Sequence, residues 1–178
     1  MRLRYFFVVC LIAGLVYWYT VQRPHLQQLT VGTAAPEFAL ADREGRIVRS
    51  EDLRGKVLLV HFWATWCASC AEEVPALNIL AARFAGQPFL IVGISEDGES
   101  GGGWAAIDAF RRRIPVQFLL LLDPDGKIAD NYGTFGIPES YLIDRQGLLR
   151  RKFTGPVTWG GSETIGVIEQ ALHEEGHN

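Results

Sequence analysis

Two cysteines, Cys67 and Cys70, carry the clearest chemistry in this 178-residue chain. An apolar run over 57–63 precedes them and a helical pattern over 71–84 follows, which predicts a buried strand, a turn and a helix. A spacing of three at a helix start puts both side chains on one face, where a small adjustment closes a disulfide. Free backbone N–H groups and the helix dipole there favour a thiolate. We therefore predict that Cys67 is a nucleophile and Cys70 its resolving thiol.

Other uses of a Cys-x-x-Cys pair fit the sequence less well. A zinc site needs four ligands, and no second Cys-x-x-Cys or His-x-His pair is present to complete it. Copper(I) favours soft thiolates, but Met1 is the single methionine of the chain. Two buried structural cysteines remain an alternative. A redox dithiol is favoured because the pair stands at a strand-to-helix junction, and we predict no metal.

A proline directly before an apolar strand gives a second signal. Ile137-Pro138 precedes the run Tyr141-Leu142-Ile143. Proline cannot donate to a strand ladder, so its place before a central strand is unusual. Taken alone, this position is also compatible with an ordinary trans proline before the strand.

These two motifs together resemble the TlpA/ResA/DsbE group of the thioredoxin superfamily. The similarity lies in FWATWCASCAEEVP at 62–75 and GIPES at 136–140, and it extends over about residues 31–172. It implies an α/β, thioredoxin-like fold in which a central mixed sheet is flanked by helices and a cis-proline faces the cysteines. It also implies a set of functional residues and no cofactor. The catalytic residues would be Cys67, Cys70 and Glu73, and the substrate-binding residues Trp66, Ile137 and Pro138.

Two further side chains have open roles. Glu73 lies three residues after Cys70 on the same helical face, and the resemblance implies that it exchanges a proton with Cys70. An exposed surface glutamate is the alternative. His61 stands where thioredoxin itself carries a buried aspartate. It is interpreted either as a proton acceptor near pH 7 or as a core histidine with its hydrogen bonds satisfied.

The N-terminus has the pattern of a signal anchor. Arg2 and Arg4 precede an uncharged apolar run over 5–21, which spans about 26 Å as a helix and just matches a hydrocarbon core of roughly 30 Å. No small-residue cleavage site follows. We predict a transmembrane helix within 1–23, a linker over 24–30 and one domain over 31–178. The basic N-terminal side places the domain outside the cytoplasm, on the periplasmic or equivalent side of the cytoplasmic membrane.

The start of the domain and its charge add two expectations. Alternating apolar residues on both sides of a glycine turn at 42–45 predict a β-hairpin extension ahead of the main fold. When Arg2, Arg4 and Arg23 are set aside, 14 basic residues face 20 acidic ones. This acidic balance disfavours a nucleic-acid partner.

The expected function is thiol–disulfide exchange on extracytoplasmic proteins. By resemblance, the enzyme is a reductase in cytochrome c or copper-site maturation, recharged by a membrane electron donor of the DsbD or CcdA type. The alternatives are a protein disulfide oxidase, a copper chaperone and a peroxiredoxin. Peroxiredoxin chemistry needs Pro-x-x-x-Thr/Ser-x-x-Cys, and neither Cys67 nor Cys70 has those residues upstream.

Overall fold

A β-hairpin opens the folded domain. The structure, a computed structural model, describes residue 14, residues 29–98 and residues 101–173. Strands β1 (Ala39–Ala41) and β2 (Ile47–Arg49) pair antiparallel, and a short 3-10 helix (Ser50–Leu53) follows. The predicted hairpin extension is thus confirmed.

A five-stranded mixed sheet forms the centre of the domain. Its strands are β3 (Val57–Trp63), β4 (Phe89–Ser95), β5 (Leu119–Leu122), β6 (Glu139–Ile143) and β7 (Leu149–Thr154). They lie in the order β5-β4-β3-β6-β7; β3, β4 and β5 are parallel, whereas β6 and β7 run antiparallel to their neighbours. All seven residues of β3 are buried, as a continuous apolar central strand requires. The predicted α/β fold with a mixed sheet is confirmed.

This topology gathers several chain segments at one edge of the sheet. The carboxyl ends of β3, β4 and β5 meet there with the start of β6 and the end of β7. We call this edge, marked by Trp63, Ser95, Leu122 and Glu139, the site edge. In open α/β sheets, ligands bind beyond the carboxyl ends of the strands.

Four helices cover the two faces of the sheet. They are α1 (Ala68–Arg83), α2 (Gly103–Arg113), α3 (Lys127–Tyr132) and α4 (Ser162–His173). Helices α1 and α4 pack on one face, where Leu59 contacts a cluster containing Leu77 and Ile168. On the other face, Phe62 packs with Tyr132 of α3 and with the hairpin. Because α1 begins directly after β3, its first turn lies at the site edge.

The predicted membrane anchor cannot be followed in this fold. Residues 1–23 lie outside the described part of the chain except for Gly14, and so do residues 24–28 of the predicted linker. Within the described ranges, no helix combines the length and the apolar character needed to cross a bilayer.

Candidate active site

Cys67 and Cys70 form a disulfide at the first turn of α1. The Sγ atoms are 2.10 Å apart and the Cα atoms 5.3 Å apart. Cys67 is the N-cap residue, and its Sγ accepts a hydrogen bond from the backbone N–H of Cys70 at 3.2 Å. Cys70 is completely buried, whereas Cys67 keeps 7% of its surface exposed. The sulfur that an incoming partner can reach is therefore also the one at the positive end of the helix.

The three residues predicted to contact substrate surround Cys67. The Ile137–Pro138 peptide bond is cis, and the Ile137 carbonyl oxygen lies 3.9 Å from Cys67 Sγ. Pro138 is buried and Ile137 half-buried. Trp66, immediately before Cys67, is 65% exposed. The structure thus places all three residues next to the accessible sulfur.

Glu73 is buried at the base of the first turns of α1. Its Oε1 accepts hydrogen bonds from the backbone N–H of Val157 at 2.8 Å and from Trp159 Nε1 at 2.7 Å. Its Oε2 is buried and has no hydrogen-bond partner among the described residues. Burial raises the pKa of Glu73, and the two hydrogen bonds partly oppose that rise. The alternative of an exposed surface glutamate is wrong, since only 5% of Glu73 is exposed.

His61 lies inside the sheet as a neutral side chain. Its Nδ1 is 2.8 Å from Ser140 Oγ on the neighbouring strand, and its ring meets Trp159 edge-on at 6.2 Å. Burial lowers the pKa of His61 to about 4. A proton acceptor near pH 7 is therefore not supported at this position. The interpretation as a core histidine is favoured, although Nε2 has no partner within the described ranges.

Asp97 is a site residue that the sequence reasoning missed. It is completely buried. Its carboxylate accepts hydrogen bonds from the Thr65 backbone N–H at 2.8 Å, from Thr65 Oγ1 at 2.6 Å and from Ser95 Oγ at 2.7 Å. It thereby fixes the turn that leads to Cys67. The signal in the sequence was its place two residues beyond β4, the parallel neighbour of β3.

Further carboxyl groups lie along the site edge. Burial raises the pKa of Glu96 to about 6, and the nearby carboxylates of Asp123, Asp130 and Glu139 add to the rise. Glu139, directly after Pro138, is buried and accepts hydrogen bonds from Tyr141 Oη at 2.8 Å and Lys152 Nζ at 3.1 Å. Glu96 therefore lies in a group of carboxyl side chains that raise its pKa together with burial.

A cavity of about 700 Å³ opens beside the cis-proline. Ile137, Pro138 and Glu139 form one wall, and Lys152 and Thr154 of β7 form another. Its remaining lining residues are Leu29, Thr30, Tyr132, Gly133, Phe135, Gly136 and Gly155. Its position next to Cys67 suits it to receive part of a polypeptide whose disulfide is being exchanged.

Comparisons with known proteins agree with this geometry. Residues 31–152 match the profile of the AhpC/TSA family. The thiol-disulfide oxidoreductase ResA of Geobacillus thermodenitrificans is 31% identical over 154 residues, covering 85% of this chain and 86% of that protein. ResA of Bacillus subtilis is 32% identical over 132 residues, covering 74% and 72%. A solved structure described as the thiol:disulfide interchange protein DsbE of Chlorobium tepidum superposes with a TM-score of 0.73 at 31% identity, covering 81% of this chain and 99% of the other.

The raised pKa of Glu96 gives a prediction about stability. A carboxyl group whose pKa is higher in the folded than in the unfolded protein does not reduce the free energy of unfolding below about pH 4.5, where it is protonated in both states. Above that pH the group reduces the free energy of unfolding by an amount that grows until the pH passes about 6. We expect Glu96→Gln to increase the free energy of unfolding by up to about 2 kcal/mol at pH 7.5 and to leave it unchanged at pH 4. Urea unfolding at both pH values measures this. Glu72→Gln, on the exposed face of α1, is the control. An equal effect of Glu96→Gln at both pH values would contradict the raised pKa of Glu96.

Proposed function

We propose, since this chain belongs to the AhpC/TSA family and is a thiol–disulfide oxidoreductase of the ResA/DsbE type, that it reduces disulfides of extracytoplasmic proteins through Cys67 and Cys70. One observation carries the assignment of roles. Of the two cysteines, Cys67 is the one that is partly accessible, and its Sγ caps α1 and lies 3.9 Å from the Ile137 carbonyl oxygen. Cys70 lies behind it, fully buried, and can attack nothing but a bond to Cys67.

The exchange proceeds in two steps. The Cys67 thiolate attacks one sulfur of the client disulfide; a bond forms between the two proteins, and the other client sulfur leaves as a thiolate that takes up a proton. Cys70 then loses its proton and attacks Cys67 Sγ, which releases the second client thiolate and closes the Cys67–Cys70 disulfide. The client gains two electrons and the enzyme loses two.

Glu73 supplies the proton acceptor for the second step. Cys70 is buried, so its thiol needs a nearby group to take the proton before it can attack. Glu73 is one helical turn further on the same face, and its Oε2 is buried with no partner among the described residues. The raised pKa of Glu73 brings the proton affinity of its carboxylate closer to that of a general base that works near neutral pH. Val157 and Trp159 hold the other oxygen and so fix the carboxyl in place.

The reductive direction needs a source of electrons outside the cytoplasm. We place the domain on the extracytoplasmic side of the cytoplasmic membrane, tethered by residues 1–23. We infer that a membrane dithiol donor of the DsbD or CcdA type returns two electrons to the Cys67–Cys70 disulfide. The apolar run over 5–21, with Arg2 and Arg4 before it, supports the tether. Apocytochrome c or copper-site cysteines are the clients that the family resemblance favours.

A protein disulfide oxidase is the second candidate. A thiolate stabilised at a helix N-terminus stabilises the reduced enzyme, which makes the pair a better oxidant. The hydrogen bond from the Cys70 backbone N–H to Cys67 Sγ works in this direction. The same two cysteines would carry out both reactions, so the direction depends on the reduction potential.

Removing the resolving thiol tests the assigned roles. In Cys70→Ala, Cys67 still attacks but cannot be released, so the protein should accumulate as a mixed disulfide with its clients. Non-reducing gels of the full-length protein, with Cys10→Ser to exclude other adducts, detect these species. The double variant Cys67→Ala/Cys70→Ala is the matched control. Adducts of equal amount in that control would contradict the role of Cys67.

Glu73→Gln tests the proton acceptor. An amide oxygen can still accept the hydrogen bonds from Val157 and Trp159, but the side chain no longer titrates. We expect closure of the Cys67–Cys70 disulfide from a Cys67–glutathione adduct to slow by about 10²-fold near pH 7. In the wild type this rate should rise as the pH passes the raised pKa of Glu73, and the variant should lack that rise. Quenched-flow release of glutathione measures both, with Glu72→Gln as control. An unchanged pH profile would exclude Glu73.

The reduction potential decides between reductase and oxidase. We expect a value between the roughly −270 mV of thioredoxin and about −200 mV, measured by equilibrating the protein with glutathione or dithiothreitol buffers. A value close to the approximately −120 mV of DsbA would identify an oxidase instead. The trapping of clients on Cys67 does not depend on the reduction potential. An oxidising potential would therefore contradict the reductase direction and leave the roles of the two cysteines intact.

A further inference from the structure

We propose that His61 is a positioning residue for the proton-transfer step: its Nε2–H group, together with Trp159, holds the Glu73 carboxylate ready to take the proton of Cys70. The proposal rests on the role of Glu73 as proton acceptor that is proposed above. It gives a task to a buried polar side chain that the exchange between the two cysteines does not itself use.

The first observation is the way in which β3 and α1 pack against each other. Leu59 and Leu77 belong to one buried cluster between the sheet and the helix. His61 is two residues nearer the site edge than Leu59 and lies on the same face of β3, whereas Glu73 is four residues nearer that edge than Leu77. Two strand residues rise about 7 Å and four helical residues about 6 Å. Glu73 therefore packs over His61 as Leu77 packs over Leu59.

The second observation is that Trp159 contacts both side chains. Its Nε1–H group donates to Glu73 Oε1 at 2.7 Å, and its ring meets the His61 ring edge-on with 6.2 Å between the centroids. Trp159 is itself buried and packs against Phe153 of β7, with 5.4 Å between the ring centroids. His61, Trp159 and Glu73 thus form one buried group, and Glu73 is one helical turn from Cys70.

Two polar atoms of this group are buried with no hydrogen-bond partner among the described residues, namely His61 Nε2 and Glu73 Oε2. Burial lowers the pKa of His61 to about 4, so near pH 7 the neutral ring carries one N–H group and one nitrogen that accepts. Ser140 Oγ, 2.8 Å from Nδ1, can donate or accept. Because a carboxylate only accepts, the tautomer with hydrogen on Nε2 matches Glu73, and Ser140 then donates to Nδ1. One buried water between Nε2 and Oε2 satisfies both atoms.

Charged groups near Glu73 do not take over this role. Within the described ranges, Glu73 faces Cys70 from its own helix and His61 from β3, and the segment before α4 supplies two uncharged hydrogen-bond donors. Arg151 of β7 and Glu163 of α4 are exposed and pair with each other at 2.9 Å. The pKa of Glu73 is accordingly set by burial and by hydrogen bonds, so one donor more or less at Oε2 changes it.

The Nε2–H group stabilises the ionised form of Glu73. A hydrogen-bond donor beside a carboxylate favours the charged form and lowers the pKa, against the rise that burial causes. Glu73 is thereby deprotonated, and able to accept the proton of Cys70, at a lower pH than burial alone allows. Ser140 stands two residues after Pro138, so the same contacts join the proton acceptor to the strand that follows the cis-proline.

Two substitutions of His61 separate the contributions of its two ring nitrogens. In His61→Asn, the short amide takes the place of Nδ1 and keeps a partner for Ser140, but no polar atom remains at the position of Nε2. In His61→Gln, the longer amide brings an N–H group to that position. Both variants are neutral and polar and both lack the ring, so a difference between them reports on Nε2.

Titration of the Glu73 carboxyl measures the effect. The full-length oxidised protein with Cys10→Ser is used, because the cysteines of the disulfide do not titrate. Glutamate labelled with ¹³C at the carboxyl carbon is followed by NMR, and the spectrum of Glu73→Gln identifies the resonance. We expect His61→Asn to raise the midpoint for Glu73 by about one pH unit or more. His61→Gln and the surface control Glu72→Gln should stay within about 0.3 pH unit of the wild type.

Ser140→Ala tests the same link through the loss of a single oxygen atom, and it serves where His61→Asn does not fold. Without the hydroxyl group, nothing favours the tautomer with hydrogen on Nε2, so the midpoint for Glu73 should rise by about half a pH unit. Urea unfolding shows which variants are folded. An unchanged midpoint in the folded variants His61→Asn and Ser140→Ala would overturn the proposal and leave the role of Glu73 untouched.

Equal rises in His61→Asn and His61→Gln would also overturn the proposal, since the loss of the ring, and not of Nε2, would then be responsible. The rate of disulfide closure from the Cys67–glutathione adduct is the second readout. Below the wild-type midpoint we expect His61→Asn to close about tenfold more slowly, because one pH unit is a tenfold change in the ionised fraction of Glu73. A raised midpoint with an unchanged closure rate would instead contradict Glu73 as the proton acceptor, and the task of His61 would fall with it.

Discussion

The position of Cys67 at the point where β3 ends and α1 begins is the constraint on which the remainder of the site depends. A fully buried strand leads to a helix whose first turn has unsatisfied N–H groups, and the sulfur of Cys67 takes the place of a capping oxygen. Burial of β3 fixes the strand, α1 packs against the sheet through Leu77 and Leu80, and Cys70 is held inside. The rigid scaffold thus determines which sulfur reacts first and which one closes the disulfide.

Buried polar groups fix the backbone on each side of that junction. Asp97 holds Thr65 before the cysteines, and Glu73 joins α1 to the segment before α4 through Val157 and Trp159. Such groups are costly to bury unless they are hydrogen-bonded. Asp97 is satisfied on both oxygens, whereas one oxygen of Glu73 has no partner among the described residues. This difference separates a positioning role for Asp97 from the proton-accepting role proposed for Glu73.

Local spacing in the sequence is enough to predict Cys67, Cys70 and the hairpin, because each depends on residues only a few positions apart. Pro138 and the thioredoxin-like sheet came from the family resemblance, and the cis bond and the mixed strand order agree with it. Asp97 and Glu96 could not be assigned to the site from the sequence, since the residues around them lie on strands whose order is set by long-range pairing. His61 was ambiguous for another reason: its pKa depends on burial, and the sequence does not specify how completely the ring is enclosed.

The helix N-terminus and the carboxylates of the site edge act on the reduction potential in opposite directions. A helix N-terminus stabilises a thiolate by at most about 2 kcal/mol, which would make the pair more oxidising. The carboxylates of Asp97, Glu139 and Glu96 act in the opposite sense, because negative charge disfavours a thiolate and so destabilises the reduced enzyme. For this two-electron couple about 1.4 kcal/mol corresponds to 30 mV, so an electrostatic contribution of that size moves the potential by tens of millivolts. The acidic groups that the sequence did not reveal therefore bear on the reduction potential as well, so the helix N-terminus does not determine it alone.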